Sequence, residues 1–230
     1  MTVMLDYWQG QKIRIEQELE PQIPEGRKAV QLSFAFWKEE AKKLLGVLLT
    51  SIQQGAENGI AVQQRAIDAE GLSLDWTLVN TDAANWARVY AGELVKKVTD
   101  TTKKRVGAQV ANWYEQADRT FPELVQMIAE DPAFNRARAR LIAMTESTRA
   151  HVEGELMAAG HMEDAGFYEY VKRWGTARDD KVCAICGPMD NTKVMGVRGL
   201  FKLPNGDKKE GPPAHPGCRC GVSMIPRVPK

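Results

Sequence analysis

Cysteine is missing from the first 182 residues, histidine occurs only three times in 230, and no apolar run approaches membrane-spanning length. The late start of cysteine excludes a disulfide framework for most of the chain. Three histidines, His151, His161 and His215, leave few candidates for acid and base chemistry near neutral pH. The strongest apolar run, Leu44-Leu45-Gly46-Val47-Leu48-Leu49, is abutted by Lys42 and Lys43 and falls far below the roughly 18 to 20 residues a spanning helix needs. No membrane partner is expected. Net charge is scarce as well: 31 Lys and Arg against 30 Asp and Glu give +1, which is no sign of a polyanion binder. Residues 1–80 carry 8 basic and 11 acidic side chains, so the small basic excess lies beyond them and is read as solvated surface. Met1–Asp6 is short and is followed by Trp8, Gln11, Lys12 and Arg14, so a secretory leader is not expected. Internal repeats and low-complexity tracts are lacking too.

What remains is a globular composition long enough to bury a core. Residues 1–25 read as an arm: Glu16, Glu18 and Glu20 make it polar, and Pro21, Pro24 and Gly26 close it off. From Arg27 to about Ala69, Val30, Phe34, Trp37, Ala41, Leu44, Leu48 and Ile52 recur at helical spacing, with Gly55 and Gly59 as candidate breaks. Gly71–Asn80 reads as a connection, and Asn80 or Thr81 as the cap of a helix whose stripe is Trp86, Tyr90, Leu94, Val98, Val106, Val110 and Trp113. Thr120-Phe121-Pro122-Glu123 has the form of a capping box and predicts a short helix to about Glu130. After Asp131-Pro132 a further helix is expected from about Ala133 to Ala159, ended by Gly160. Beyond Trp174 the strand-like pieces are Lys193–Val197 and Leu200–Leu203, and Asn205-Gly206 suits a tight hairpin. The expected fold is mainly α, with long helices in the N-terminal and central parts and a small zinc-stapled β-hairpin module at the C-terminus. The expected division is 1–80 as arm and helix, 81–172 as helical domain and 173–230 as metal-binding module.

The chemistry concentrates in Cys183-x2-Cys186-x28-His215-x2-Cys218-x-Cys220, which contains every cysteine. Zinc prefers thiolate and imidazole in a tetrahedral shell, and ligand pairs two residues apart on tight turns deliver such donors from two chain segments. Gly187, just past Cys186, is expected to give that turn a left-handed residue. Five donors stand for four places. Adjacent ligands crowd each other, which argues for leaving out Cys220; the rival set is all four cysteines. Either set is anionic, and Lys181, Lys202, Lys208 and Arg219 are placed to offset it. A shell saturated with sulfur and nitrogen leaves no position for water, so a structural Zn2+ is expected and not a catalytic one.

Trp174, Thr176, Asp180, Cys183-x2-Cys186 and Pro213-x-His215-Pro216-x-Cys218-Arg219-Cys220 together resemble the closing signature of the Mu F-like minor head proteins of tailed bacteriophages. The segment Ile142-Ala143-Met144-Thr145-Glu146 resembles that family's Ile-Ala-Arg-Thr-Glu, with Met144 where Arg is usual, so Glu146 is expected to lack its partner. The resemblance spans roughly 90 to 220. It implies a minor capsid protein of head morphogenesis, present in few copies, found in procapsid and virion and in the host cytoplasm during assembly. It further implies association with the portal protein, with major capsid or scaffolding protein as a further candidate partner, and a part in genome delivery. Independently of the resemblance, the apolar and acidic character of the arm (1–25) and of the helix (27–69) makes them the expected docking surface.

Two alternatives follow from the residues. A zinc module could contact DNA non-specifically through Arg136, Arg138, Arg140, Arg173, Arg178 and Arg219. A hydrolase would use Asp179, Asp180 or Asp190 as base on zinc-bound water, but the metal would then have to lose a protein ligand. No triad or dyad emerges, and an enzyme is not expected.

Overall fold

The computed structural model describes residues 2–22, 31–116 and 119–227. Pro24, Gly26 and the expected helix start at Arg27 lie outside the described residues. Among the described residues, five α-helices are followed by five strands: α1 Thr2–Leu19, α2 Phe34–Asp68, α3 Trp76–Glu115, α4 Phe121–Glu130, α5 Arg136–Asp164, β1 Glu169–Gly175, β2 Lys193–Met195, β3 Phe201–Lys202, β4 Lys208–Lys209 and β5 Gly221–Arg227. Mainly helical with a small C-terminal β region is therefore correct. No helix of the described residues is long and apolar enough to cross a membrane.

The chain divides into two compact units that are not consecutive in sequence: Met1–Leu49 with Tyr90–Arg140, and Thr50–Val89 with Leu141–Lys230. This differs from the linear division at 80 and 172, because long helices contribute their two halves to different cores.

In the first unit, the segment read as an arm is helix α1. Met4, Tyr7, Trp8, Gln11, Ile15 and Leu19 recur at intervals of three and four and are buried, with Trp8 1% exposed. The helix packs on α4 and on the 3-10 turn Pro132–Phe134. Arg138 lies 5.1 Å from the Trp8 ring and donates to the carbonyls of Ala133 (2.7 Å) and Val98 (3.1 Å), so its charge is spent inside the core. The Glu123 carboxylate accepts from the Thr120 N–H at 2.6 Å, as the capping box predicts.

Glu40 is a buried carboxylate in this unit. Arg14 donates to both its oxygens at 2.5 and 2.8 Å and Lys43 reaches it at 3.3 Å. Burial is the largest single influence and opposes its ionisation, but Arg14 and Lys43 together outweigh it and hold the carboxyl below its ordinary value of 4.5. The folded state thus binds this proton less readily than the unfolded one. The pair stabilises the fold fully above pH 4.5, and its contribution is lost as the pH falls below that. Glu40→Gln is expected to flatten the acid limb of a melting-temperature profile and to cost about 2 kcal/mol at neutral pH; an unchanged acid limb would refute this.

The second unit is built on the close approach of α2 and α5. Gly55 and Gly59 do not break α2; they are where it meets α5, at Ala150, His151 and Gly154. Helix α3 begins earlier than expected, at Trp76, with the Asp75 carboxylate accepting from the Thr77 N–H at 3.0 Å in place of a cap at Asn80 or Thr81. Helix α5 runs through Gly160 to Asp164. It closes at Gly166 (φ +76°), where the N–H of Gly166 donates to Glu163 O (3.1 Å) and that of Phe167 to Met162 O (3.0 Å).

Two strands were not foreseen. Strands β1 and β5 pair antiparallel along seven residues, from Glu169↔Arg227 to Gly175↔Gly221, and β2 flanks β1. The buried face of β1 is Tyr170, Lys172 and Trp174, so a lysine stands where the alternation calls for an apolar residue. Lys172 donates to the Glu210 carbonyl at 2.6 Å beneath the Phe201 ring, and burial lowers its pKa to about 8. The expected hairpin is present as β3–β4, with Gly206 at φ +90° in its turn. Trp174 and Phe201 meet edge to face at 5.3 Å in a core that also takes in Cys186, Cys218 and Cys220.

Candidate metal centre

The paired ends of β1 and β5 carry the two ligand turns. Past Gly175 the chain turns so that the N–H groups of Cys186 and Gly187 both donate to the Cys183 carbonyl, at 3.1 and 2.9 Å. Opposite it, the Cys218 N–H donates to the His215 carbonyl at 3.1 Å, and Cys220 leads directly into β5. The left-handed glycine is Gly217 (φ +76°), inside the second turn; Gly187 instead opens the 3-10 turn Gly187–Met189. Gly217 is tied to the helical layer: its N–H donates to Thr145 Oγ1 at 2.8 Å, while the Thr145 hydroxyl donates to the Leu141 carbonyl at 2.7 Å. Thr145 belongs to the Ile142–Glu146 segment, and this bond gives that segment a physical task.

All five donors converge. His215 Nε2 lies 3.0 Å from Cys183 Sγ and 3.4 Å from Cys186 Sγ, and Cys186 Sγ lies 3.7 Å from Cys218 Sγ. Cys183, Cys186 and His215 form one group with donor atoms within 4.8 Å of each other, and Cys186, Cys218 and Cys220 a second that shares Cys186. A tetrahedral shell with metal–sulfur bonds near 2.3 Å has edges of about 3.8 Å, close to these separations. They are far longer than a disulfide bond, and none of the four cysteines is in a disulfide. A void of about 20 Å³ lies among them, room for a single ion. The His215 Nδ1 is 2.8 Å from the Pro216 carbonyl; with its proton there, the Nε2 lone pair faces the sulfurs, the orientation of a metal-ligating imidazole.

Electrostatics agree. A hydrogen bond from Cys220 draws the Cys218 thiol down to about 5, whereas burial, and then the neighbouring Cys218, push Cys186 up to about 12. Alone, such a cluster holds one thiolate among neutral thiols; a divalent cation would let the others ionise. Cys220, which the crowding argument leaves out, lies within 4.8 Å of both Cys186 and Cys218.

Several charged residues near the centre are engaged elsewhere. Arg219 holds Asp179 through two contacts of 2.6 Å; Asp190 accepts from the Thr176 N–H (3.0 Å) and from Arg178 (3.0 Å). Lys202 and Lys208 are exposed on the β3–β4 hairpin. Among the described residues, neither ligand group contains an Asp or Glu. His151 pairs with Glu155 (3.2 Å) and His161 with Asp82 (2.9 Å), and neither belongs to the two donor groups. Glu146 is paired after all, with Arg149 at 3.6 Å on the same helix face.

Compared with known protein families, residues 83–223 match the model described as Phage Mu protein F like protein. The chain belongs to this family. The matched segment opens within α3 and closes within β5, so the Mu F-like portion contains α4, α5, Thr145 and all five donors. Neither a curated protein nor a solved structure matches the chain. Membership in the Mu F-like family points to phage head morphogenesis.

Proposed function

We propose that this chain is a minor head protein of a tailed bacteriophage, present in few copies, that joins the portal during procapsid assembly and holds one structural Zn2+. The observation that carries this reading is the family match over residues 83–223, which encloses the metal centre and the helix that braces it. Four of Cys183, Cys186, His215, Cys218 and Cys220 would hold the ion, and the ion would fix the two turns to each other. The centre serves structure and not catalysis: its donors are sulfur and nitrogen, and Asp179 and Asp190 are committed to Arg219, Thr176 and Arg178. Non-specific DNA binding finds less support, since Arg138, Arg178 and Arg219 are engaged within the protein. Docking by residues 1–25 as a free arm is also disfavoured, because the apolar side chains of α1 are buried. Carried into the virion, the protein would be placed to aid genome delivery.

The test is assembly of phage heads with the gene deleted and supplied in trans. DNA-filled heads should depend on it, and the chain should cross-link to the portal protein in purified procapsids. Normal, infective heads that lack the chain would refute the role.

The Thr145 bond gives a finer test of the centre. Thr145→Val keeps the shape but removes the acceptor for Gly217, and metal affinity measured by chelator competition is expected to fall about tenfold, with Thr145→Ser restoring it. Equal affinity in all three chains would show that the tether does not position the ligand turn.

A further inference from the structure

A cavity of about 250 Å³ opens in the second unit between the end of α2, α5 and the β1–β5 ladder, and it shares no residue with the metal centre. Ile67, Val222 and Met224 give it apolar walls, and the Tyr168 and Tyr170 rings, edge to face at 5.9 Å, form another side. Gln63, Glu70, Glu155, Ser223 and the Tyr168 hydroxyl, which donates to Glu70, are among the polar groups that line this space. Among the described residues, no Lys, Arg or His lines it.

Two of these residues are largely buried, and their polar atoms reach the cavity. Gln63 is 7% exposed, and its carboxamide has no hydrogen-bond partner among the described residues. Glu155 is 6% exposed; His151 engages its Oε1 at 3.2 Å, and Oε2 has no partner among the described residues. Buried amides and carboxylates are costly unless paired, so their presence in a cavity points to something that supplies donors and positive charge. An anion would meet two carboxylates. A wholly apolar molecule would fill the walls and leave Gln63 and Glu155 unmet. The volume is below the roughly 300–1,000 Å³ of sites that enclose drug-sized ligands, which limits the guest to a short chain.

We propose that this cavity binds an alkylammonium group, the end of a polyamine or of a lysine side chain, with its cationic head between Gln63 and Glu155 and its methylenes along Ile67, Val222 and Met224. The tyrosine rings add an electron-rich side to the site. Gln63, Ile67 and Glu70 precede the family-matched segment, so the site is a property of this chain and does not rest on the head-protein reading.

The experiment is an NMR titration of the full-length protein, following the Met224 methyl and Gln63 side-chain amide signals. The probes are cadaverine, N-acetyl-lysine methylamide, neutral 1-pentanol and anionic pentanoate. Both ammonium probes should shift the two signals saturably and at least tenfold more tightly than 1-pentanol, with no response to pentanoate. Gln63→Leu and Glu155→Gln should each weaken binding about tenfold. The tighter of the two ammonium probes identifies the source: cadaverine a free polyamine, the lysine derivative a partner's side chain. No saturable shift, which would leave water as the occupant, or an equal response to 1-pentanol would overturn the proposal. So would unchanged affinity in both variants. Should either variant unfold, the comparison of ammonium, alcohol and carboxylate on the unaltered protein decides alone.

Discussion

Chelation of the purified protein is expected to remove one zinc per chain and to lower the melting temperature of the second unit by at least about 15 °C, several kcal/mol converted at the few degrees per kcal/mol typical of this chain length. Structural zinc contributes roughly 10 to 16 kcal/mol in small modules, far more than the two turns could recover from apolar contacts. Cys186, Cys218 and Cys220 are part of the same core as Trp174 and Phe201, so loss of the ion should reach the β1–β5 ladder beyond the turns. Amide exchange in β1 and β5 should rise while helices α1 and α4 of the first unit stay protected. Serine substitutions then resolve which four of five donors bind. Four of Cys183→Ser, Cys186→Ser, His215→Ser, Cys218→Ser and Cys220→Ser should weaken zinc by at least about a hundredfold, and the fifth only a few-fold. A protein purified without metal whose β1 and β5 amides ignore chelation would remove zinc from this account.

The turns that bring the thiols and the imidazole together were legible in the sequence because their information is local: residue type and a spacing of two suffice to name Cys183, Cys186, His215 and Cys218 as candidate donors. The capping box at Thr120 and the turn at Asn205-Gly206 were legible for the same reason. What was hidden depends on partners remote in sequence. Helix α1 read as a polar arm because its acidic residues are evident, whereas the stripe from Met4 to Leu19 gains meaning only against α4. Strand β1 was masked by Lys172, whose buried ammonium is satisfied by the carbonyl of Glu210, 38 residues on. Gly160 read as a helix end, yet the nearest atom to a Cβ there would be a Val197 methyl at 3.9 Å, and the helix simply continues to the left-handed Gly166. The glycine signal near the donor cluster was real but assigned to the wrong turn, Gly187 in place of Gly217, since spacing alone does not report φ. Thr145 could have been singled out from the segment it belongs to; its role needed the position of Gly217.

Gly59→Ala and Gly154→Ala are each expected to destabilise the second unit by about 3 kcal/mol or more, although alanine is the better helix former. A methyl on Gly59 would overlap the His151 carbonyl oxygen and sit 2.9 Å from the Glu155 N, and one on Gly154 would overlap the Ala56 carbonyl oxygen and sit 3.0 Å from the Ala56 Cα. These are backbone atoms of the facing helix, which cannot turn aside as a side chain can, so α2 and α5 must separate and lose the contacts that depend on their closeness. Gly46→Ala is the control within α2: an added Cβ there meets no atom within 4 Å, so only the helix preference acts, and a gain of about 0.5 to 1 kcal/mol is expected. The double substitution at Gly59 and Gly154 should cost less than the two single costs combined, because helices already forced apart by one methyl have room for the second. Urea unfolding of the four chains measures all of this. Melting of Gly59→Ala or Gly154→Ala within about 2 °C of the parent would mean that α2 and α5 do not meet backbone to backbone at this crossing.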